Sequence, residues 1–193
     1  MINYYQYRYE ENEHLYGPGV RLVVFCQGCS LHCPGCVNKH LWGFGEGKNI
    51  ATEKIVELCF EVEGITLLGG EPLDQSEGIL DIIKALKRNG KTVVLFTGYN
   101  LKELNSSSQR ESWKLSDIVI SGRYFEKKRS IFMQFRGSTN QRVYTHKGKY
   151  KGYKVKDGKT VALFRINENG VIEVGGFQDE ELKELTEKIL INI

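Results

Sequence analysis

Arg21-Leu22-Val23-Val24-Phe25-Cys26-Gln27-Gly28-Cys29-Ser30-Leu31-His32-Cys33-Pro34-Gly35-Cys36 joins two unlike halves. Arg21 to Phe25 is a short apolar run of the kind that forms a buried strand. Cys29, Cys33 and Cys36 follow at C-x3-C-x2-C spacing. Three thiolates this close can hold a four-iron cluster and leave one iron without a protein ligand, and an open iron is a place for a further ligand. In parallel β/α folds the loops at the C-terminal strand ends gather on one rim, where sites are built.

The same grammar recurs downstream. Ile65-Thr66-Leu67-Leu68 reads as a strand running into Gly69-Gly70-Glu71-Pro72, Thr92 to Phe96 as a strand ending in Thr97-Gly98-Tyr99, and Asp117 to Ile120 as a strand ending in Ser121-Gly122-Arg123. Helical segments separate them. Ala51 to Glu61 reads as a helix with Thr52 as N-cap and Ile55, Val56, Cys59 and Phe60 on its apolar face. The next is capped by Asp74 with Glu77 reaching back, faces the core through Ile79, Ile82, Ile83 and Leu86, and stops at Asn89-Gly90. A weaker helix from Leu101 is interrupted by Ser106-Ser107-Ser108. This alternation predicts an α/β fold of parallel β/α units with four small-residue loops on one rim.

Residues 2 to 9 read as an aromatic-rich edge strand, and Gly17-Pro18-Gly19 as a breaker. Arg136 to Gln141 reads as a structured loop, and the Lys- and Gly-rich stretch 145 to 159 as mobile. Thr160 to Ile166 and Val171 to Val174 flank Asn167-Glu168-Asn169-Gly170 as a β-hairpin, and Asp179 to Leu190 reads as a last helix. The expected organisation is a core over 1–143 and a C-terminal extension over 144–193.

The chain has 193 residues, 40% of them hydrophobic, enough for one sizeable core. A net charge of +3 is too mild to argue for nucleic acid. Lys127-Lys128-Arg129 and the lysines from 147 to 159 read as solvated surface. No segment has the length of a membrane span or the pattern of a secretory signal, so a soluble cytoplasmic protein is expected. Four of the five cysteines crowd between residues 26 and 36, which suits a metal in a reducing compartment rather than a disulfide scaffold.

The four-cysteine run has other readings. Two C-x2-C pairs could hold zinc, but their spacer is far shorter than a zinc ribbon's. Cys26, Cys29 and Cys33-Pro34 fit the end of a bacterial ferredoxin run whose first cysteine is missing. The three-cysteine site is preferred. It makes Cys26 a buried neighbour and Cys59 a core residue, with His32 a surface or supporting residue rather than an iron ligand. Gly69 and Gly70 let the backbone approach a ligand closely, Glu71 is placed to orient local backbone, and Thr97 is a candidate cofactor contact.

These motifs resemble those of the radical S-adenosylmethionine superfamily. Gly17 to Arg21, Gln27 to Asn38, Gly69 to Leu73, Thr97-Gly98-Tyr99, Asp117 to Arg123 and Phe135 to Gln141 are together similar to its glycyl-radical activases, in particular the branch serving anaerobic (class III) ribonucleotide reductase. Tyr16 and Val37 depart from the pattern, standing where many activases have an acidic and an aromatic residue. The resemblance implies an incomplete (β/α) barrel with the hairpin and helix appended. It implies a 4Fe–4S cluster on Cys29, Cys33 and Cys36, with S-adenosylmethionine bound by the open iron and by Gly35, Val37, Asn38, Gly69, Gly70, Glu71 and Thr97. It further implies reductive cleavage to a 5′-deoxyadenosyl radical that generates a glycyl radical on a partner enzyme, with a donor such as flavodoxin supplying the electron. The alternatives are a radical enzyme acting on another glycyl-radical enzyme, peptide or metabolite, and a non-catalytic iron–sulfur electron carrier.

Overall fold

A computed structural model describes residues 1–145, 148–159, 161–166 and 172–176. In chain order its elements are β1 (Ile2–Glu10), α1 (Glu13–Tyr16), β2 (Arg21–Cys26), β3 (Lys48–Ile50), α2 (Thr52–Leu58), β4 (Gly64–Gly69), α3 (Ser76–Arg88), β5 (Thr92–Thr97), α4 (Ser107–Leu115), β6 (Ile118–Ser121), β7 (Arg142–Tyr144), β8 (Ala162–Ile166) and β9 (Ile172–Gly176). The first seven strands form one sheet in the order β3-β1-β2-β4-β5-β6-β7. Its centre, β2, β4, β5 and β6, is parallel, and its flanks are antiparallel. The sheet ends at β3 and β7 without closing, as an incomplete barrel does. β8 and β9 form a separate antiparallel hairpin.

Successive side chains on a strand point to opposite faces, and β2 uses both. Leu22 and Val24 pack with Ile65, Leu67, Val93 and Leu95 under the helices, against Ile55 of α2, Ile79, Ile82, Ile83 and Leu86 of α3, and Trp113 of α4. Burying each of the four α3 side chains contributes about 2 kcal/mol, which makes this helix the sheet's main cover. Val23 and Phe25 face the other way, onto Tyr16 and Leu41. Further along that face Val94, Ile118 and Ile120 meet Phe135 and Tyr150.

At the base of the sheet, Arg21 is fully buried. Its guanidinium donates to Thr66 Oγ1 at 2.7 Å, Ile65 O at 2.5 Å, Thr92 Oγ1 at 3.0 Å, Thr92 O at 3.1 Å and Pro18 O at 3.1 Å. These bonds tie the starts of β2, β4 and β5 together. Burial lowers its pKa to about 10, so it remains a cation at neutral pH.

Several local expectations differ. β1 is not the edge, because β3 pairs along its outer side. Thr52 is the first residue of α2 rather than its cap, and Phe60, beyond the helix end, is 75% exposed. Asp74 does not cap α3; a 3-10 turn, Pro72–Gln75, intervenes. The serine run does not interrupt a helix: Ser106 caps α4 through a reciprocal capping box with Gln109. Residues 148–159 are packed rather than loose. Tyr150 is buried with its hydroxyl 2.9 Å from Glu63, and the Tyr153 hydroxyl donates to Glu13 at 2.8 Å. The expected helix over 179–190 and the hairpin turn over 167–170 lie outside the described residues.

Candidate active site

Cys26 of β2 and Gly69 of β4 are register partners, so the cysteine loop and the diglycine turn leave the sheet from the same rung. Backbone bonds then stitch them together. Gly70 N donates to Cys26 O at 2.8 Å, Glu71 N to Gly28 O at 2.8 Å, and Cys29 N to Trp42 O at 3.1 Å. Gly28 and Gly69 have φ of +94° and +109°, and a Cβ on either would come within 2.6 Å of Phe44 or of the Cys26 backbone. Only glycine meets both demands.

Above this rung lies a cavity of about 580 Å³. Cys29, Cys33 and Cys36 all line it, together with Val37, Asn38, Gly69, Gly70, Glu71 and Thr97. Gly35 does not; its Cα faces Glu126 instead. Cys26 and Cys59 lie below in the core. Asn38 Nδ2 donates to Gly69 O at 3.4 Å, tying the exit of the cysteine loop to the diglycine. Val37 is 67% exposed at the mouth. His32 is exposed, in the left-handed region at φ +42°, with its ring stacked on Trp42 at 4.6 Å.

Glu71 has a positioning geometry. Its Oε1 accepts from Leu73 N at 2.9 Å and Thr97 Oγ1 at 2.8 Å, and its Oε2 from Gly98 N at 2.7 Å. Thr97 Oγ1 in turn accepts from Tyr99 N at 3.1 Å. One carboxylate thus fixes the ends of β4 and β5 relative to each other. Burial pushes it up to about 7, against the pull of these three donors.

Two anchors were not visible in the sequence. Asp74 accepts from Ser30 N at 2.7 Å, from Ser30 Oγ at 3.1 Å and from the Tyr99 hydroxyl at 2.7 Å, pinning the start of the cysteine loop to the rim. Arg8 lies with its guanidinium carbon 4.8 Å from the Phe25 ring centre, and it donates to the Tyr16 hydroxyl at 2.9 Å. Phe135, Arg136 and Gln141 complete the far wall, and Gly175 and Gly176 of β9 border it. The alternation of β2 could have signalled Phe25; the pairing of Asp74 with Ser30 had no local signal.

The thiols test whether the residues present suit an iron–sulfur cluster. Burial pushes Cys29 up to about 11 and raises Cys33, while backbone N–H groups of Leu31 and His32, and of Tyr124, bond their sulfurs and favour the thiolate. Among the described residues no three His, Cys, Asp or Glu side chains converge as ligands of a single ion. A cubane takes each thiolate on a different iron and calls for wider spacing. Three cavity-lining sulfurs, backbone donors to two of them and a fourth cysteine sequestered in the sheet suit such a cluster with one iron open.

A family model described as a 4Fe-4S single cluster domain matches residues 15–144, spanning the whole site. That defines the class: a single-cluster iron–sulfur domain. The anaerobic ribonucleoside-triphosphate reductase-activating protein of Escherichia coli (strain K12) is 31% identical over 155 residues, covering 74% of this chain and 98% of the relative. The protein of that name from Enterobacteria phage T4 is 33% identical over 139 residues, covering 67% and 86%. The chain belongs to the family of anaerobic ribonucleoside-triphosphate reductase-activating proteins. Among solved structures, QueE from Escherichia coli is similar with a TM-score of 0.45 at 15% identity, over 60% of this chain and 68% of that one.

Proposed function

We propose that this chain is a radical S-adenosylmethionine activating enzyme that generates a glycyl radical on anaerobic ribonucleoside-triphosphate reductase. In this reading Cys29, Cys33 and Cys36 hold the 4Fe–4S cluster, and Val37, Asn38, Gly69, Gly70, Glu71 and Thr97 form the cofactor-binding set, while Gly35, outside the cavity, drops out of it. The observation that carries it is that the cysteine loop and the diglycine turn leave neighbouring strands at one rung, Cys26 beside Gly69, and that Cys29, Cys33, Cys36, Gly69 and Gly70 line one cavity.

The chemistry those groups supply when bound is one-electron reductive cleavage of a sulfonium, followed by hydrogen abstraction from a glycine of the partner. The chain's own residues position and enclose. Cys29, Cys33 and Cys36 anchor the metal, and the backbone around Gly69 and Gly70 offers close approach to an amino-acid moiety. Glu71 is spent on Leu73, Thr97 and Gly98, so its role is to hold that backbone rigid rather than to contact the reacting atoms. The apolar wall from Phe25, Phe96, Ile120 and Phe135 keeps water from the site. The unclosed sheet leaves room for a loop of another protein, and residues 1–143 act as the core with 144–193 as an extension beside it. A donor such as flavodoxin would supply the electron. No helix among the described residues is long and apolar enough to cross a membrane, in keeping with a cytoplasmic enzyme.

The test is to reconstitute the cluster anaerobically, add S-adenosylmethionine, reductant and the reductase, and record electron paramagnetic resonance. A glycyl doublet on the reductase is expected. A cluster spectrum indifferent to S-adenosylmethionine, with no doublet, refutes the reading.

A further inference from the structure

The partner's glycine must reach the cofactor through the cavity, which commits the inner side of the cysteine loop. Its tip also has an outer side. We propose that this outer face, made by the loop tip and the 3-10 turn Glu126–Lys128, is the docking surface for an acidic protein that delivers single electrons to the cluster. The inference rests on the cluster reading above and adds where the donor binds.

One contact makes the turn and the loop one surface. Gly35, at φ +75°, lies so close to Glu126 that a Cβ would come within 2.8 Å of its carboxyl carbon. Gly35 is bonded to Cys36 and stands two residues after Cys33. From the exposed Glu126, one packed contact and one peptide unit therefore reach a cysteine, a short protein route from solvent into the site.

The chemistry of the face suits a brief encounter with a negatively charged partner. Its apolar centre is the exposed Pro34 and Phe125, the latter 51% exposed. Around it stand Lys127, Lys128 and Arg129, all exposed, with Glu126 as the nearby carboxylate. Among the described residues no ion pair engages Lys127 or Lys128, whereas Lys54, Lys84, Lys87, Lys149 and Lys156 are each paired with a carboxylate. A small apolar centre beside Lys127 and Lys128 is what a weak redox encounter uses, since rim charges steer approach more than they hold the complex. The step balances simply. One electron leaves the donor, which is oxidised by one, and enters the cluster, which is reduced by one, with no bond made or broken.

The test uses the full-length, cluster-loaded protein under anaerobic conditions, with fully reduced flavodoxin as the donor. Lys127→Glu combined with Lys128→Glu is compared with the parent by stopped-flow bleaching of the cluster. At low ionic strength the variant's bimolecular rate should fall about tenfold or more, and the gap should narrow at high salt. Reduction by photoexcited deazaflavin, a small neutral donor, should stay within about twofold of the parent, as should affinity for the reductase. An unchanged flavodoxin rate overturns the proposal, and so does an equal loss with both donors. A loss of reductase affinity also overturns it, giving the face to that partner instead. Failure of the parent to assemble a cluster, visible before any donor is added, sinks the functional reading itself.

Discussion

Replacing Glu71 by Gln isolates the one buried carboxylate that joins two strand ends at the site. Burial raises its pKa from the ordinary 4.5 to about 7, so the folded chain holds this proton over a pH range in which the unfolded chain has released it. Stability from this group is therefore greatest below pH 4.5 and declines as pH rises toward and through about 7. The full difference corresponds to about 3 kcal/mol. Gln cannot titrate. It keeps an acceptor for Leu73 N and Thr97 Oγ1 but turns an amide toward Gly98 N–H, a mismatch costing about 1–3 kcal/mol at any pH. The expected signature is a crossing trend. The variant is the weaker protein at pH 5 and gains on the parent by about 3 kcal/mol by pH 8. Urea unfolding of the anaerobic, metal-free chain measures it, the relative midpoint moving by roughly 1.5 M for an m-value near 2 kcal/mol/M. Parallel midpoints across that range would refute both the burial and the protonation assigned to Glu71.

Cys29→Ala, Cys33→Ala and Cys36→Ala should each abolish stoichiometric cluster assembly, while Cys26→Ala, removing a core thiol, should retain it; iron and sulfide analysis separates the two groups. Gly69→Ala places a Cβ 2.6 Å from the Cys26 backbone at φ +109° and should cost at least about 2 kcal/mol in thermal or urea unfolding, with loss of the cluster. Asp74→Asn weakens the bonds to Ser30 and Tyr99 and should lower stability by about 1–2 kcal/mol, with faster release of iron to a chelator. Arg21→Met removes the donor shared by the Thr66, Thr92 and Ile65 oxygens at the sheet base and should cost roughly 3 kcal/mol without changing cluster content per folded molecule.

The parallel centre of the sheet was legible because each strand is a continuous apolar run that stops at a small-residue loop. So was the core face of α3, since Ile79, Ile82, Ile83 and Leu86 recur at helical spacing and are all fully buried. That Cys29, Cys33 and Cys36 would face one cavity was equally legible, since their spacing keeps them on one short loop at a strand end. What escaped depends on distant partners. Asp74 looks like a helix cap locally, yet Ser30, 44 residues away, takes its carboxylate. Residues 148–159 look loose by composition, yet Tyr150 and Tyr153 reach back to Glu63 and Glu13. Ser106-Ser107-Ser108 reads as a break or as a start, and only the reciprocal bonds with Gln109 decide which.

Arg21 binds the floor of the sheet through oxygens that owe nothing to the cysteine rim at the opposite end of the same strand. Loss of iron should therefore leave this floor tied, since none of its bonds runs through a cysteine of the loop.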